Sequence, residues 1–489
     1  MEWPLPPEIT GCIVSLLETP LTHIDTKLGL AQYASVNRDW QPIVEERSWA
    51  KLRVKTGTPL NLDQFERLTK DPRRQSYIRD IELIVELEPY DEAARAHFET
   101  ESENERNNQI FSDAICSILQ IVAKWGSSRG ISLSVRAQSP SDLVASPNRL
   151  RRIKAARVER TADILNRRFE RNYLRLDAFE GQVAPVSIVH TLKIEALADR
   201  RQIEATSCAR LASKFPNLHT LKLLLNDTCK RDKDLRKRNR DEFAAHIHLL
   251  PASIKTFNFH FNHEPPRDHN FSPDDVTDQG LDALSSQLHK FSQQLETLSI
   301  YGMTFGNELF WRLESNDNHP SWPDLKTIDI DYIPSTPSGK WLFVDRSDRD
   351  EDDQYESTDS DPHDEFPEYV RTVLEDRSGK PFREVSVPGL FNELYMAVGQ
   401  AALYMPKLED LRMETESGRV HHRFRYSTEG DICATWSDRL GFQPAERVLN
   451  LWKQVASEHT GQDLTVKLCD DQEGTNQNIT GYLLGMFKG

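Results

Sequence analysis

The sequence lacks the paired cysteines and the glycine-rich segments on which many ligand sites are built. Its six cysteines are spread from Cys12 to Cys469 without CxxC spacing, which argues against the usual zinc motifs and against a disulfide framework. The 21 glycines form no phosphate-binding loop, and neither a nucleophile elbow nor an HExxH motif is present. We therefore expect no catalytic residue, no cofactor and no metal in this chain.

Long hydrophobic runs are missing as well. The longest apolar segment, residues 110–125, is interrupted by Asp113 and Lys124 and falls short of the roughly 18 apolar residues that suggest a membrane span. The stretch from Met1 to Pro4 lacks the basic start and apolar continuation of a signal peptide. We therefore expect no membrane partner, and a location in the cytoplasm, the nucleus or both.

The net charge of -16 is distributed unevenly. Residues 345–365 hold eleven acidic side chains against two arginines, with almost no apolar side chain to bury. We expect a disordered acidic insertion there. Two sharper alternatives stay open: the insertion folds back on basic segments, or Ser357, Thr358 and Ser360 are phosphorylated within it.

What the chain does have is a short apolar phrase that returns along most of its length: apolar, two variable residues, apolar, one variable residue, apolar. In FPNLHTLKL it consists of Leu218, Leu221 and Leu223. The last two apolar positions lie two residues apart, so they face the same side of a strand and can line a shared core. The other copies begin at Ile78, Val189, Ile254, Leu295, Leu325 and Leu408. Such recurrence indicates a repeat architecture, which usually serves binding.

Helical patterns alternate with these strand phrases, and five copies directly follow a helix-like segment. We expect the third of these helices to begin at residues 272–275, Ser-Pro-Asp-Asp, and the fourth to occupy residues 307–315. Alternation of helix and strand predicts parallel strands joined by right-handed helical crossovers, which form a curved α/β array.

The array resembles a leucine-rich repeat. That family has an asparagine three residues after the last apolar strand position, and Asn226 and Asn262 occupy this place here. From Val189 onward the phrases recur at intervals of 29 to 83 residues, against about 20 to 29 in regular leucine-rich repeats. We therefore expect an irregular array over residues 56–415, interrupted by the acidic insertion.

After residue 415 the pattern changes. Residues 421–438 alternate like a two-stranded hairpin, residues 445–459 have helical spacing, and residues 463–470 read as a closing strand. We expect a mixed α/β cap over residues 416–489. It would cover the open end of the array, where an exposed strand edge invites pairing with other chains.

The first 55 residues contain more large apolar side chains than so small a unit can bury by itself. The stretch resembles an F-box, whose pattern runs from Leu-Pro-x-Glu-Ile through a middle apolar helix to Val-Asn-Arg-x-Trp and a final Trp-x-x-Leu. Here these elements are Leu5 to Ile9, Leu30 to Val36, Val36 to Trp40 and Trp49 to Leu52.

The F-box resemblance implies binding to the Skp adaptor subunit of a cullin-RING (SCF) ubiquitin ligase, and through it to a cullin. Carried over position by position, the residues that would form or support this contact are Leu5, Pro6, Ile9, Leu30, Val36 and Trp40. Residues 1–55 are therefore expected to form a small N-terminal helical F-box.

Two basic segments leave three interpretations open. Residues 149–175 hold ten Arg/Lys against three acids, and residues 230–240 hold seven against two. The first interpretation is solvated helix faces and loops. The second is a nuclear-targeting signal or a nucleic-acid contact, and the third is a binding site for an acidic or phosphorylated partner. The residues predicted for such a partner are Arg149, Arg151, Arg152, Lys154 and Arg157. Nucleic acid is not an expected partner, because no aromatic residues interleave with the second segment.

Three histidines, His260, His263 and His269, come nearest to a metal cluster. They straddle a Pro-Pro turn and have no matching cysteine or carboxylate ligands nearby in sequence. We therefore interpret this segment as a surface turn.

These patterns predict an α/β chain in which a helical F-box precedes an irregular leucine-rich-repeat-like solenoid with a mixed α/β C-terminal cap. The whole resembles the F-box proteins of filamentous fungi. The expected function is substrate recognition in an SCF ubiquitin ligase, with the array holding an unknown protein substrate. The alternatives are a non-catalytic binding scaffold that acts outside ubiquitination and, least favoured, an α/β enzyme.

Overall fold

The chain divides between His263 and Glu264 into two compact units, which we call unit 1 and unit 2. The computed structural model describes residues 40–57, 61–91, 94, 97–126, 129–142, 168–169, 172–177, 183–196, 201–227, 232–263, 265–266, 269–311, 320–345, 382–418 and 420–469. The fold is α/β, with mostly parallel strands.

Among the described residues of unit 1, six strands pair in chain order, every pair parallel. The strands are β1 (Lys51–Lys55), β2 (Asp80–Glu86), β3 (Ile131–Gln138), β4 (Val189–Glu195), β5 (Thr220–Asn226) and β6 (Thr256–Asn262). The helices described in this unit are α1 (Trp40–Ala50), α2 (Leu62–Leu68), α3 (Pro72–Tyr77), α4 (Glu101–Ala123), α5 (Ala205–Ala212) and α6 (Lys233–His246), followed by a 3-10 turn at Ile247–Leu249.

Unit 2 continues with parallel strands and then changes direction. Its strands are β7 (Thr297–Met303), β8 (Thr327–Tyr332), β9 (Phe343–Asp345), β10 (Arg383–Ser386), β11 (Asp410–Ser417), β12 (Val420–Ser427), β13 (Cys433–Asp438) and β14 (Thr465–Cys469). Its described α-helices are α7 (Ala283–Ser292), α8 (Pro388–Ala402) and α9 (Glu446–Thr460). Strands β7, β8 and β11 are parallel, β12 is antiparallel to both β11 and β13, and β14 runs parallel to β13.

The repeated apolar phrase, together with Leu133 and Val135 of β3, forms rows of buried side chains that run across neighbouring strands in register. One such row in unit 1 consists of Ile81, Leu133, Leu192, Leu221 and Phe257, and the next consists of Leu83, Val135, Ile194, Leu223 and Phe259. Helices cover this side of the strands; in α6, for example, the ring of Phe243 lies 5.5 Å from that of Phe259. The predicted parallel strands with an apolar side are therefore confirmed.

The longest interval between two copies of the phrase, from Leu325 to Leu408, corresponds to an insertion between the neighbouring strands β8 and β11. Strand β11 pairs directly with β8, so that Leu411 lies opposite Ile328 and Met413 opposite Ile330. The described part of the insertion contains β9 and β10, which pair antiparallel with each other, and helix α8. The acidic run from residue 346 onward lies outside the described residues.

The C-terminal pattern is confirmed element by element, because the predicted hairpin is β12 and β13, the predicted helix is α9 and the closing strand is β14. Two helix predictions are wrong. Helix α7 begins after the N-cap Asp282, whose carboxylate accepts the Ser285 backbone N–H, whereas Val276 donates its N–H to Pro337 in a loop contact. In place of the helix predicted at residues 307–315, a 3-10 turn spans Asn307–Leu309, and residues 312–319 lie outside the described part.

Helix α1 runs straight into the sheet. Ala50 ends the helix and Lys51 begins β1, whose Leu52 pairs with Ile81 of β2. The final residue of the F-box-like pattern therefore lies in a sheet strand. As for membranes, no helix in the described ranges is long and apolar enough to cross one.

Alanine substitutions at two adjacent residues of β5 should have unequal effects. Leu223 is fully buried and Leu224 lies half-buried on the other side of the strand. We expect Leu223→Ala to lower the free energy of unfolding by about 2–5 kcal/mol, because it leaves a cavity in the core, and Leu224→Ala to lower it by about 1 kcal/mol or less. Urea unfolding of both variants measures the difference, and equal losses would contradict the assignment of the two sides.

Candidate binding surfaces

The side of the unit 2 strands that faces away from the apolar rows is polar, and we call it the strand face. Its members alternate along each strand with the buried core residues. They are Tyr301 on β7, Asp329 and Asp331 on β8, Arg412, Glu414 and Glu416 on β11, and Arg423 and Arg425 on β12. Parallel sheets are usually covered on both sides, so partly exposed polar rows on one side form an available surface.

One ion pair organises the centre of the strand face. Arg412 donates from Nε to Asp329 Oδ1 at 2.7 Å and from a terminal nitrogen to Asp329 Oδ2 at 3.1 Å, which is a bidentate contact. The Tyr301 hydroxyl donates to Asp329 Oδ2 at 2.5 Å, and burial together with this carboxylate raises the pKa of Tyr301. The Asp329 carboxylate therefore already accepts three hydrogen bonds within unit 2.

Asp331, one pleat further along β8, has a different environment. The residue as a whole is exposed, but surrounding side chains desolvate its carboxyl group, and Glu414 and other acidic neighbours repel its charge. Together these effects raise the pKa of Asp331 to about 7. A cationic group from a partner would favour the charged form, so the strand face is sensitive to the charge of what it binds.

The second basic segment is partly buried. In α6, Arg236 and Arg240 have almost no exposed surface, and both contact the equally buried Asp227 at the end of β5. The Arg236 Nε–Asp227 Oδ2 distance is 2.9 Å, and a terminal nitrogen of Arg240 lies 3.4 Å from the same oxygen. The interpretation as a solvated helix face is therefore wrong for these two residues. Their ion pairs with Asp227 link α6 to the end of β5.

The first basic segment lies mostly outside the described residues, including Arg149, Arg151, Arg152, Lys154 and Arg157. Two later members are described, and both form ion pairs within unit 1. Arg168 is buried and contacts Glu103 at 2.7 Å, and Arg175 contacts Glu204 at 3.1 Å.

Two of the three histidines assigned to a surface turn are buried, so that interpretation is wrong for them. The Nδ1 of His263 lies 3.1 Å from the Asp227 carbonyl oxygen. The Nδ1 of His269 accepts the backbone N–H groups of Phe382 and Arg383, both at 3.0 Å, and its ring packs on Trp341. No group of three or more metal-ligating side chains is found among the described residues.

A polar cluster without any clear sequence signal lies buried in unit 2. His422 Nδ1 is 2.7 Å from Asp438 Oδ2, and the Ser386 hydroxyl donates to the same oxygen at 2.6 Å. On the other side of the imidazole, the Tyr395 hydroxyl is 2.6 Å from His422 Nε2. These residues come from β12, β13, β10 and α8, and the Phe391 ring stacks on the imidazole with 3.9 Å between centroids.

The buried cluster contains a serine, a histidine and an aspartate, but its geometry is not that of a hydrolytic triad. The serine and the aspartate both contact Nδ1, while the nitrogen that would activate a nucleophile is occupied by Tyr395. All four side chains are buried. Burial lowers the pKa of His422, and contact with His422 and Ser386 lowers that of Asp438, so a neutral histidine donates to a charged carboxylate.

The residues predicted to contact the adaptor lie almost wholly outside the described part of the chain. Leu5, Pro6, Ile9, Leu30 and Val36 belong to residues 1–39. Trp40 is described; it begins α1 and is only partly buried.

A family of unknown function (DUF6546) matches residues 378–484, a segment that runs from just before β10 past the end of β14 and contains the whole His422 cluster. No curated protein matches the chain.

Removing the carboxylate of Asp227 should destabilise unit 1. Asp227→Asn would leave Arg236 and Arg240 buried beside a neutral amide, and we expect a loss of about 3–5 kcal/mol in the free energy of unfolding. Asp234→Asn, on the exposed side of the same helix, is the matched control and should change it by less than about 0.5 kcal/mol. Similar midpoints for the two variants in urea unfolding would contradict a structural role for this ion pair.

Acidification should destabilise the protein through His422. The folded pKa is lowered from 6.5, so the unfolded chain binds a proton that the folded chain does not. This contribution to stability is complete above pH 6.5 and is lost below it, by about 1.4 kcal/mol per pH unit until the folded pKa is reached. His422→Gln should flatten the fall in unfolding free energy measured between pH 7.5 and 5.5. An unchanged slope would exclude a buried neutral histidine.

Proposed function

We propose that this protein is the substrate-recognition subunit of an SCF ubiquitin ligase, in which residues 1–55 bind the Skp adaptor and the following strands hold a protein substrate. The parallel strands and helices would form an irregular leucine-rich-repeat-like solenoid, closed by the α/β C-terminal region. In this proposal the chain has no catalytic residue, and ubiquitin is transferred by other subunits.

The observation that most supports a binding role is the one-sided burial of the strands. In unit 1 the in-register neighbours Lys193, Lys222 and Asn258 face away from the apolar rows and remain only partly buried. In unit 2 the strand face repeats the arrangement with charged residues. Repeat arrays bind partners on such strand surfaces because consecutive strands present side chains at regular spacing.

A second feature agrees with the leucine-rich-repeat resemblance at one of its two asparagines. Asn226 is buried and its amide donates to the carbonyl oxygen of Ala196, which follows the neighbouring strand β4, at 3.0 Å. This contact satisfies a carbonyl at a strand end, as a ladder asparagine does. Asn262, at the matching position of β6, is exposed.

The connection between α1 and β1 bears on the mechanism. A ligase subunit of this kind acts by proximity, because a substrate lysine held near the charged carrier reacts at a high effective concentration. Trp40, the last residue of the predicted adaptor contact, begins a helix that continues into the sheet without a linker. Adaptor and substrate would then be held at a defined separation.

The proposal is tested by co-purification of the full-length chain with the Skp adaptor. We expect Leu5→Ala/Pro6→Ala to abolish adaptor binding while the unfolding midpoint is unchanged. A chain that begins at Trp40 should likewise fail to bind, and it is preferable to a cut at residue 56, which would remove β1 from the sheet. Adaptor retained by both variants would refute the ligase role.

The same purification separates the proposed function from its alternatives. Adaptor and cullin together support an SCF subunit, whereas adaptor without cullin favours a scaffold that acts outside ubiquitination. An α/β enzyme finds no support in the buried His422 cluster, because its residues are enclosed and its imidazole nitrogens are already occupied.

A further inference from the structure

The side of β3 to β6 that faces away from the apolar rows carries two rows of polar side chains, and we call it the unit 1 face. Within each row, every side chain lies opposite its neighbours on the adjacent strands. The first row has only hydroxyl groups and consists of Ser132, Thr191, Thr220 and Thr256. The second row, two residues further along each strand, consists of Ser134, Lys193, Lys222 and Asn258. All these side chains are half-buried, so each keeps some surface that a partner can contact.

The charge on the unit 1 face is unbalanced at one position. Lys193 pairs with Glu195 of the same strand at 2.8 Å, and Arg136 of β3 pairs with Glu82 of β2 at 3.0 Å. Lys222 forms no ion pair with any residue that the structure describes. On β3 to β6, Glu195 is the one acidic side chain of this face, although the whole chain has a net charge of -16. The Lys222 ammonium therefore lacks a counter-charge within the described part of the chain.

Lys222 also lies directly opposite another lysine, because it is in register with Lys193 of the neighbouring strand β4. Like charges at directly opposite positions of neighbouring strands repel each other and destabilise the sheet. The ion pair with Glu195 reduces this repulsion from the side of Lys193 and leaves Lys222 uncompensated. An anion that contacts Lys222 from outside would remove the remaining repulsion, so this face is complementary to an acidic partner.

The hydroxyl row is suited to the main chain of such a partner. A hydroxyl group both donates and accepts hydrogen bonds, so Thr191, Thr220 and Thr256 can bond to the N–H and C=O groups of an extended segment. None of these three hydroxyls bonds to a residue in the described ranges. A nucleic acid fits less well, because β3 to β6 present no phenylalanine, tyrosine or tryptophan on this side for bases to stack on.

We propose that the unit 1 face binds an acidic segment of the substrate protein. The Lys222 ammonium contacts an aspartate or glutamate carboxylate of that segment, while the Thr220 hydroxyl and the Asn258 side-chain amide beside it bond to the main chain. This inference rests on the proposed function in taking the ligand from a substrate, and it deepens that function by naming the charge that the strands select.

The test measures the fluorescence anisotropy of labelled peptides of alternating Glu-Ser, Gln-Ser or Lys-Ser during titration with the full-length protein. We expect the Glu-Ser peptide to bind and the other two peptides to bind about fivefold more weakly or less. Rising salt should weaken the Glu-Ser complex, because ions screen a solvent-exposed ion pair. Equal affinities for the Glu-Ser and Gln-Ser peptides would overturn the inference.

Charge reversal at Lys222 locates the binding. Lys222→Glu should weaken binding of the Glu-Ser peptide about tenfold or more, because attraction becomes repulsion, whereas Lys222→Arg should retain it. Lys70 is exposed in the turn after α2, away from the strands, so Lys70→Glu is the matched control and should leave binding unchanged. Binding by Lys222→Glu as tight as that by the wild type would refute the proposed site.

The same substitution has a second readout that needs no ligand. Lys222→Glu places a carboxylate opposite Lys193, so a repulsive cross-strand pair becomes an attractive one. The midpoint of urea unfolding should therefore equal or exceed that of the wild type, which also confirms that the variant is folded. A lower midpoint would contradict the like-charge contact on which the inference depends.

Co-purification with the Skp adaptor keeps this test separate from the proposed function. Adaptor retained by Lys222→Glu together with lost peptide binding supports the inference. A wild-type chain that retains the adaptor and binds no acidic peptide refutes the inference and leaves the ligase role standing. A wild-type chain that binds the acidic peptide without the adaptor refutes the ligase role and supports the acidic selectivity of the unit 1 face.

Discussion

The constraint on which this structure depends is the register of its parallel strands. Each strand of unit 1 from β2 to β6 places two apolar side chains in line with those of its neighbours; they belong to the repeated phrase in β2, β4, β5 and β6, and β3 adds Leu133 and Val135. Because side chains alternate along a strand, a shift of one residue would turn the buried row outward and bring charged residues into the core. The same alternation that builds the core therefore creates the polar surface.

Charged and polar clusters support the strands where the apolar rows end. Asp227 follows β5 and holds two arginines of α6, and His422 ties β12 to β13, β10 and α8 in the segment that matches the family of unknown function. A buried charge is costly without a partner, so such clusters tolerate few alternative arrangements. They fix how the helices sit on the strands.

The sequence predicted the strands well because their signal is local. Two apolar residues separated by one position, as at Leu221 and Leu223, point to one side of a strand wherever the chain goes. Arg236 and Arg240 could not be assigned in this way. Asp227 precedes them by 9 and 13 residues, no sequence pattern marks it as their partner, and a run of charges usually indicates a solvated surface.

The same limit applies to the candidate sites. The strand face follows from the alternation pattern within single strands. The His422 cluster, by contrast, joins Ser386, Tyr395 and Asp438 over long intervals, and no spacing in the sequence predicts it. Residues 272–275 satisfy the local rules for a helix start, but the Val276 backbone N–H donates to the Pro337 carbonyl, and α7 begins only at Ala283.

The absence of any spacer between Ala50 and Lys51 has a mechanical consequence. Arg79, just before β2, donates its backbone N–H to the Ala50 carbonyl at 2.9 Å, so the junction is clamped from the adjacent strand. A force applied to α1 would pass directly into the hydrogen-bonded ladder of β1 and β2. No flexible linker separates α1 from β1, so a rotation of α1 would be transmitted to the strands.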